Sequence, residues 1–160
     1  MRQSKIDIKH NVREHMVALL NARLADAIDL RTHLYQAHWN IKGPNFIALH
    51  KMLDEMGGVI ENQIDETAER IAALSGTAMG TAAAVSQSSS LPKYPTDAQA
   101  AETHLRALQA SFSAYGKAAR EGIDQADEAG DKDTADLFTQ SSREIDKFLW
   151  FIEAHLEPGK

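Results

Sequence analysis

The 160-residue chain has no cysteine, only four prolines and few aromatic side chains, 6% of the total. Without thiols it has no disulfide scaffold, thiolate zinc site, iron–sulfur cluster or cysteine nucleophile. A chain without cysteine fits a reducing compartment, and a cytoplasmic location is expected. Residues 1–16 contain no apolar core, so no secretory signal is expected there. No run approaches the roughly 18 apolar residues of a membrane span. Positive charge is also in deficit: 17 basic side chains face 23 acidic ones, a net charge of −6 with histidine neutral. That balance argues against a simple basic nucleic-acid surface. Neither a Gly-x-Ser-x-Gly elbow nor a glycine-rich phosphate loop appears.

What is present is helical periodicity. Pro44, Pro92, Pro95 and Pro158 leave three long proline-free stretches. Within them apolar residues recur at steps of three and four. Met16, Leu20, Leu24, Ala27 and Leu34 form one stripe, and Leu105, Leu108, Phe112, Tyr115 and Ala119 another. Phe138, Ser141, Ile145, Phe148, Ile152 and Leu156 form a third. The spacing predicts helices over about 4–38, 45–75, 97–129 and 132–156. Gly130 suits a C-cap, with Asp131 or Asp133 as the next N-cap. Residues 76–95 make a connection too long for a simple turn, with a helical turn expected near 82–85. These features predict an all-α four-helix bundle with a long crossover, built as one domain over residues 1–160 with a short tail of about 1–8.

The second helix carries the chemistry. His50, Asp54, Asp65 and Glu69 lie at about 0°, 40°, 60° and 100° around its axis, one shared face. Imidazole and carboxylate together suit iron, manganese or zinc, although acids and histidines also line many solvated helix faces. Asp54 and Asp65 are about 16 Å apart along the helix, too far to meet at one metal centre within one chain. The pairs are, however, symmetric about a point between residues 59 and 60. An antiparallel copy of the helix would bring His50 level with Glu69 and Asp54 level with Asp65, giving two identical sites per dimer. Gly57 and Gly58 near that point would permit close backbone approach. Glu61 lies near the same arc and is not excluded as an extra ligand.

The run His38-Trp39-Asn40-Ile41-Lys42-Gly43-Pro44-Asn45-Phe46, with Leu49-His50, Asp54, Asp65 and Ala68-Glu69-Arg70, resembles the signature of the Dps family of mini-ferritins. Asp133-Thr134-Ala135-Asp136 and Lys147–Glu153 extend the likeness over nearly the whole chain. The resemblance implies a ferritin-like bundle with a short helix in the crossover, assembled as a hollow homododecamer. It implies a di-iron ferroxidase centre at a two-fold interface, with His38, His50 and Asp54 of one chain facing Asp65 and Glu69 of another. It implies oxidation of Fe(II), preferably by hydrogen peroxide, and storage of ferric mineral in the cavity. Trp39 would lie near that centre as a sacrificial reductant or simply pack. Asp133 and Asp136, in a stretch with seven acids between Glu121 and Asp136, would line an iron-entry pore.

Ordinary ferritins use Glu-x-x-His motifs inside each bundle. No glutamate here has a histidine three residues later, so apolar stripes are expected to fill the core. Family members that coat DNA commonly use a lysine-rich tail. Here Arg2, Lys5 and Lys9, offset by Asp7, and the terminal Lys160 are a meagre supply. DNA contact is therefore expected to be weak and salt-sensitive. The alternative reading is a nucleoid-associated, DNA-protecting protein with secondary iron chemistry. His10, His15, His33, His104 and His155 are expected to serve surface or packing roles.

Overall fold

A computed structural model describes residues 1–157. Five helices follow one another: α1 (His10–Asn40), α2 (Phe46–Ala73), α3 (Ala82–Ser88), α4 (Ala101–Ala129) and α5 (Lys132–Leu156). Four are long and form the bundle, in which α1 pairs with α2 and α4 with α5. The short α3 lies in the crossover and packs on α1. Gly130 ends α4 in the left-handed region at φ 79°, and the Asp131 carboxylate accepts from Thr134 N–H to start α5. Of the two expected caps, Asp131 is the one used.

Three boundaries differ from the sequence expectation. Helix α1 begins at His10 rather than near residue 4, because the preceding segment satisfies its own polar groups: Ile6 N–H donates to Ser4 Oγ, and the Ile8 carbonyl accepts from Arg13 Nε. Helix α4 begins at Ala101 rather than 97, since Ala98 N–H closes a turn on Pro95 and Ala100 bridges to Lys42. Helix α3 runs through Ser88, longer than the expected turn, with Thr81 as its N-cap.

All three sequence stripes face inward, apart from a half-buried Leu156. Two apolar clusters result. One gathers Leu30, Leu34, Leu53, Phe112 and Phe148; the other gathers Met16, Leu20, Ile71 and Phe138. The core is not purely apolar, as the stripes alone suggested. Asp26 is fully buried, paired to Arg23 at 2.8 Å, and accepts from both Ser90 N–H (2.7 Å) and Ser90 Oγ (3.1 Å). One turn on, Asp29 accepts from Ser89 Oγ at 2.6 Å. These two carboxylates strap the crossover to α1.

A second clasp lies further along. His33 Nδ1 is 3.0 Å from Ser111 Oγ, and Tyr94 Oη is 2.7 Å from His104 Nδ1, with the His33 and Tyr94 rings 5.0 Å apart. His33 and His104 are thus packing histidines, as expected; His10, His15 and His155 are exposed. Burial pushes both buried imidazoles below the ordinary value, against opposing help from Asp29 at His33 and the Ala98 carbonyl at His104. The unfolded chain therefore binds protons at these sites more readily than the folded one. Their contribution to stability is complete above the unfolded value of about 6.5 and is lost as pH falls below it. We expect the urea midpoint of the metal-free protein to fall between pH 7 and pH 5. The double variant His33→Gln/His104→Gln should show a shallower fall, and a slope equal to the parent's would refute the assignment.

Candidate metal centre

The site is assembled where α1 ends and α2 begins. Helix α1 stops at Asn40 because Ile41 turns to an extended conformation, and Gly43 (φ 126°) then takes a backbone angle that side chains disfavour. The last four carbonyls of a helix have no intrahelical partner, and His38 contributes one of them. His50 Nδ1 lies 3.1 Å from that carbonyl, while His38 Nδ1 lies 3.3 Å from the His50 carbonyl. The contact is reciprocal. It stacks the two imidazole rings at a centroid separation of 3.7 Å and 21° between planes.

This pairing fixes proton positions. A carbonyl oxygen only accepts, so each Nδ1 carries its hydrogen and each neutral ring keeps its lone pair on Nε2. Asp54 Oδ1, 3.4 Å from His38 Nδ1, is likewise an acceptor and favours the same tautomer. Orientation of a ligating imidazole through its other nitrogen is the usual arrangement at protein metal sites. His38, His50 and Asp54 present ligand atoms within 4.8 Å of one another, and they are the group of that kind found among the described residues. Both histidines are half-buried, whereas Asp54 is exposed. Phe46 packs beside the His50 ring at 5.1 Å. Two imidazole nitrogens and a carboxylate suit iron, and they leave coordination positions open.

Asp65 and Glu69 are not part of this cluster. They lie on the same α2 helix, about four and five turns beyond His50, exposed and without an ion-pair partner among the described residues. Helix α2 turns Leu49, Leu53, Met56, Ile60 and Ile71 into the bundle, which leaves its acidic stripe facing outward. On the bundle side, Gln63 donates to Glu144 (2.6 Å), and Arg70 pairs with Asp131 and donates to Thr134 (3.0 Å), locking α2 onto α5.

The two glycines differ in what they make room for. A Cβ at Gly57 would come within 2.5 Å of Arg31 Nη1, so this glycine accommodates a side chain of its own subunit rather than a neighbouring backbone. Gly58 has no heavy atom within 4 Å of the Cβ position and faces open space. Glu61 is engaged by Arg31 (Nε to Oε2 3.1 Å) and is no free ligand. Trp39 is 69% exposed and stacks on Tyr35 at 5.1 Å. Asp133 is exposed and 3.5 Å from Arg70, Asp136 is exposed, and Asp131 is buried in its capping role. Lys160 lies outside the described residues.

Sequence reading missed the two carbonyls that orient the histidines and the Arg31 that claims Glu61. The first has a faint signal, two histidines flanking a Gly-Pro turn with one in a helix's last turn. The second has none, because α1–α2 contacts do not follow from spacing along either helix.

A ferritin-like domain model matches residues 17–160. The chain is 44% identical over 155 residues to a DNA protection during starvation protein of Agrobacterium fabrum, covering 97% of this chain and 96% of that one. It superposes on Mycobacterium smegmatis Dps with a TM-score of 0.93 at 30% identity, covering 98% and 96% of the two chains. A Dps protein of Vibrio cholerae, described as a member of a broad superfamily of ferritin-like diiron-carboxylate proteins, gives a TM-score of 0.91 at 28% identity and 98% coverage of each chain. The match spans four long helices, the short crossover helix and the helical residues that carry the metal-ligand cluster. The chain belongs to the Dps family of ferritin-like proteins.

Proposed function

We propose that the protein oxidises Fe(II) at a centre shared between two subunits and stores the ferric product inside a hollow homododecamer. The observation that carries this reading is the His38–His50–Asp54 cluster, which offers two imidazole nitrogens and one carboxylate on an open face. Asp65 and Glu69, the other two acids of that face, are exposed and have no ion-pair partner among the described residues. An antiparallel copy of α2 brings them to the cluster as Asp65 and Glu69 of the partner subunit, completing a carboxylate-rich set. Hydrogen peroxide is the preferred oxidant in this reading, since two ferrous ions supply the two electrons that take one peroxide to two waters, with two protons consumed.

The protein's own contribution is placement and charge. His38 and His50 hold Nε2 toward the metal because their Nδ1 hydrogens are tied to each other's carbonyls. The carboxylates favour the harder ferric product, and their negative charge attracts the incoming cation. Trp39, exposed and adjacent to His38, is placed to be oxidised first when a radical escapes. Iron reaches the cavity past Asp133 and Asp136 near the start of α5. DNA protection is a second reading, supported by the name of the Agrobacterium relative and by Arg2, Lys5 and Lys9, which are exposed ahead of α1.

Asp65→Ala/Glu69→Ala should lower the initial rate of peroxide-driven Fe(II) oxidation at least tenfold, while the particle mass stays that of the parent. Parental rates would overturn the ligand assignment. In Asp133→Asn/Asp136→Asn, uptake into the mineral should slow while peroxide-driven oxidation at the centre keeps its two-to-one iron-to-peroxide stoichiometry. Uptake at the parental rate would remove these acids from the entry path. A gel-shift series in salt, with residues 1–9 deleted, tests the DNA reading; binding that survives the deletion would exclude the tail as its source.

A further inference from the structure

Several exposed positions of α2 fall in pairs about the centre of the helix. Around the midpoint between residues 59 and 60, Ile47 mirrors Ala72, Asp54 mirrors Asp65 and Gly58 mirrors Glu61. All six are exposed. Gly58 is open to 4 Å, so a second α2 laid antiparallel has room at that level, and the residue brought there is Glu61 of the partner subunit. The side chain of Glu61 is 64% exposed, although one of its oxygens is already bound.

Its partner is Arg31. The guanidinium carbon lies over the Tyr35 ring, 3.7 Å from its centroid, and the group fills the space above Gly57. The side chain is only 19% exposed. Arginine offers five N–H donors in a fixed fork, and here Nε alone donates a hydrogen bond among the described residues. The Nη groups lie beside Gly57, next to the open position at Gly58. Two copies in this register would otherwise crowd Asp54, Glu61 and Asp65 from both chains along one seam, an arrangement of like charges that loses its water on contact.

We propose that Arg31 is the positioning residue of the two-fold contact: its unused donors take Glu61 of the partner subunit, so that two arginines and two glutamates form a four-charge cluster astride the axis. This rests on the shared-centre reading above and adds to it the group that sets the register. A fork held by a ring and a glycine notch is pre-organised for a second carboxylate. The same contact keeps Glu61 away from the iron ligands on either side.

Particle mass followed by light scattering along a urea series tests this, with helical circular dichroism recorded on each variant. Gly58→Leu places a side chain in space that its own subunit leaves open. It should keep the helical signal yet dissociate at lower urea than the parent. Arg31→Ala should also dissociate early, with at least a tenfold larger dissociation constant at a fixed urea concentration, and Arg31→Ala/Glu61→Ala should recover part of that loss. Glu61→Gln, which alters an exposed group, should weaken the contact and reduce its salt dependence. Parental dissociation in Gly58→Leu would overturn the shared contact itself. Early dissociation in Gly58→Leu with parental behaviour in Arg31→Ala would overturn the role of Arg31 alone. If Arg31→Ala loses its helical signal, Glu61→Gln decides, and an unchanged dissociation constant there overturns the proposal.

Discussion

Helix α2 has to satisfy two environments at once, and the rest of the molecule follows from that constraint. Its inward positions, Leu49, Leu53, Met56, Ile60 and Ile71, anchor the bundle by apolar burial. Its outward positions carry His50, Asp54, Asp65 and Glu69. A carboxylate cannot be buried without a partner, so the acidic stripe is confined to the face that the bundle leaves open. The locks to α5, Gln63 with Glu144 and Arg70 with Asp131, sit away from that face and keep the helix from rolling. The outward placement of the candidate ligands is therefore a by-product of how the core fixes the rotation of one helix.

Within that frame the histidine pair shows how a helix end becomes a functional part. Unsatisfied carbonyls at a C-terminus are ordinarily met by water or by a cap. Here one is met by an imidazole, and the bond that closes the helix also sets the tautomer of a candidate ligand. Stability and chemistry share a hydrogen bond.

The bundle was largely legible in the sequence because it rests on local periodicity. Met16 to Leu34, Leu105 to Ala119 and Phe138 to Ile152 recur at helical spacing, and nothing in the tertiary structure opposes them. The helix starts were less legible. Residues 4–9 have a helix-compatible pattern but bond to one another, and Ala100 is held extended by its bridge to Lys42, a contact between segments far apart in the chain. The shared outward face of His50, Asp54, Asp65 and Glu69 was readable from spacing on one helix, whereas the approach of His38 to it needed the family resemblance, since it arrives from another element. Arg31 escaped both routes. Its partners Tyr35, Gly57 and Glu61 are united only by how α1 crosses α2, and Gly57 consequently looked like a notch for a neighbour. The buried Asp26 and the Ser90 that it binds were equally silent, because Ser86-Gln87-Ser88-Ser89-Ser90 has the composition of an ordinary linker.

The strap from Asp26 and Asp29 to Ser90 and Ser89 has a consequence for how activity should scale. By fastening the crossover against α1, it commits the one long connection to the far side of the hairpin and leaves the α2 face uncovered. On the shared-centre reading, one chain brings His38, His50 and Asp54 to one centre and Asp65 and Glu69 to another, and neither centre would be complete without a second copy. The number of complete centres then follows mass action rather than the amount of folded protein: in dilute solution it rises with the square of chain concentration, and it becomes proportional to protein only once assembly is saturated. On that reading, oxidation capacity would belong to the population of subunits and be switched on by their abundance.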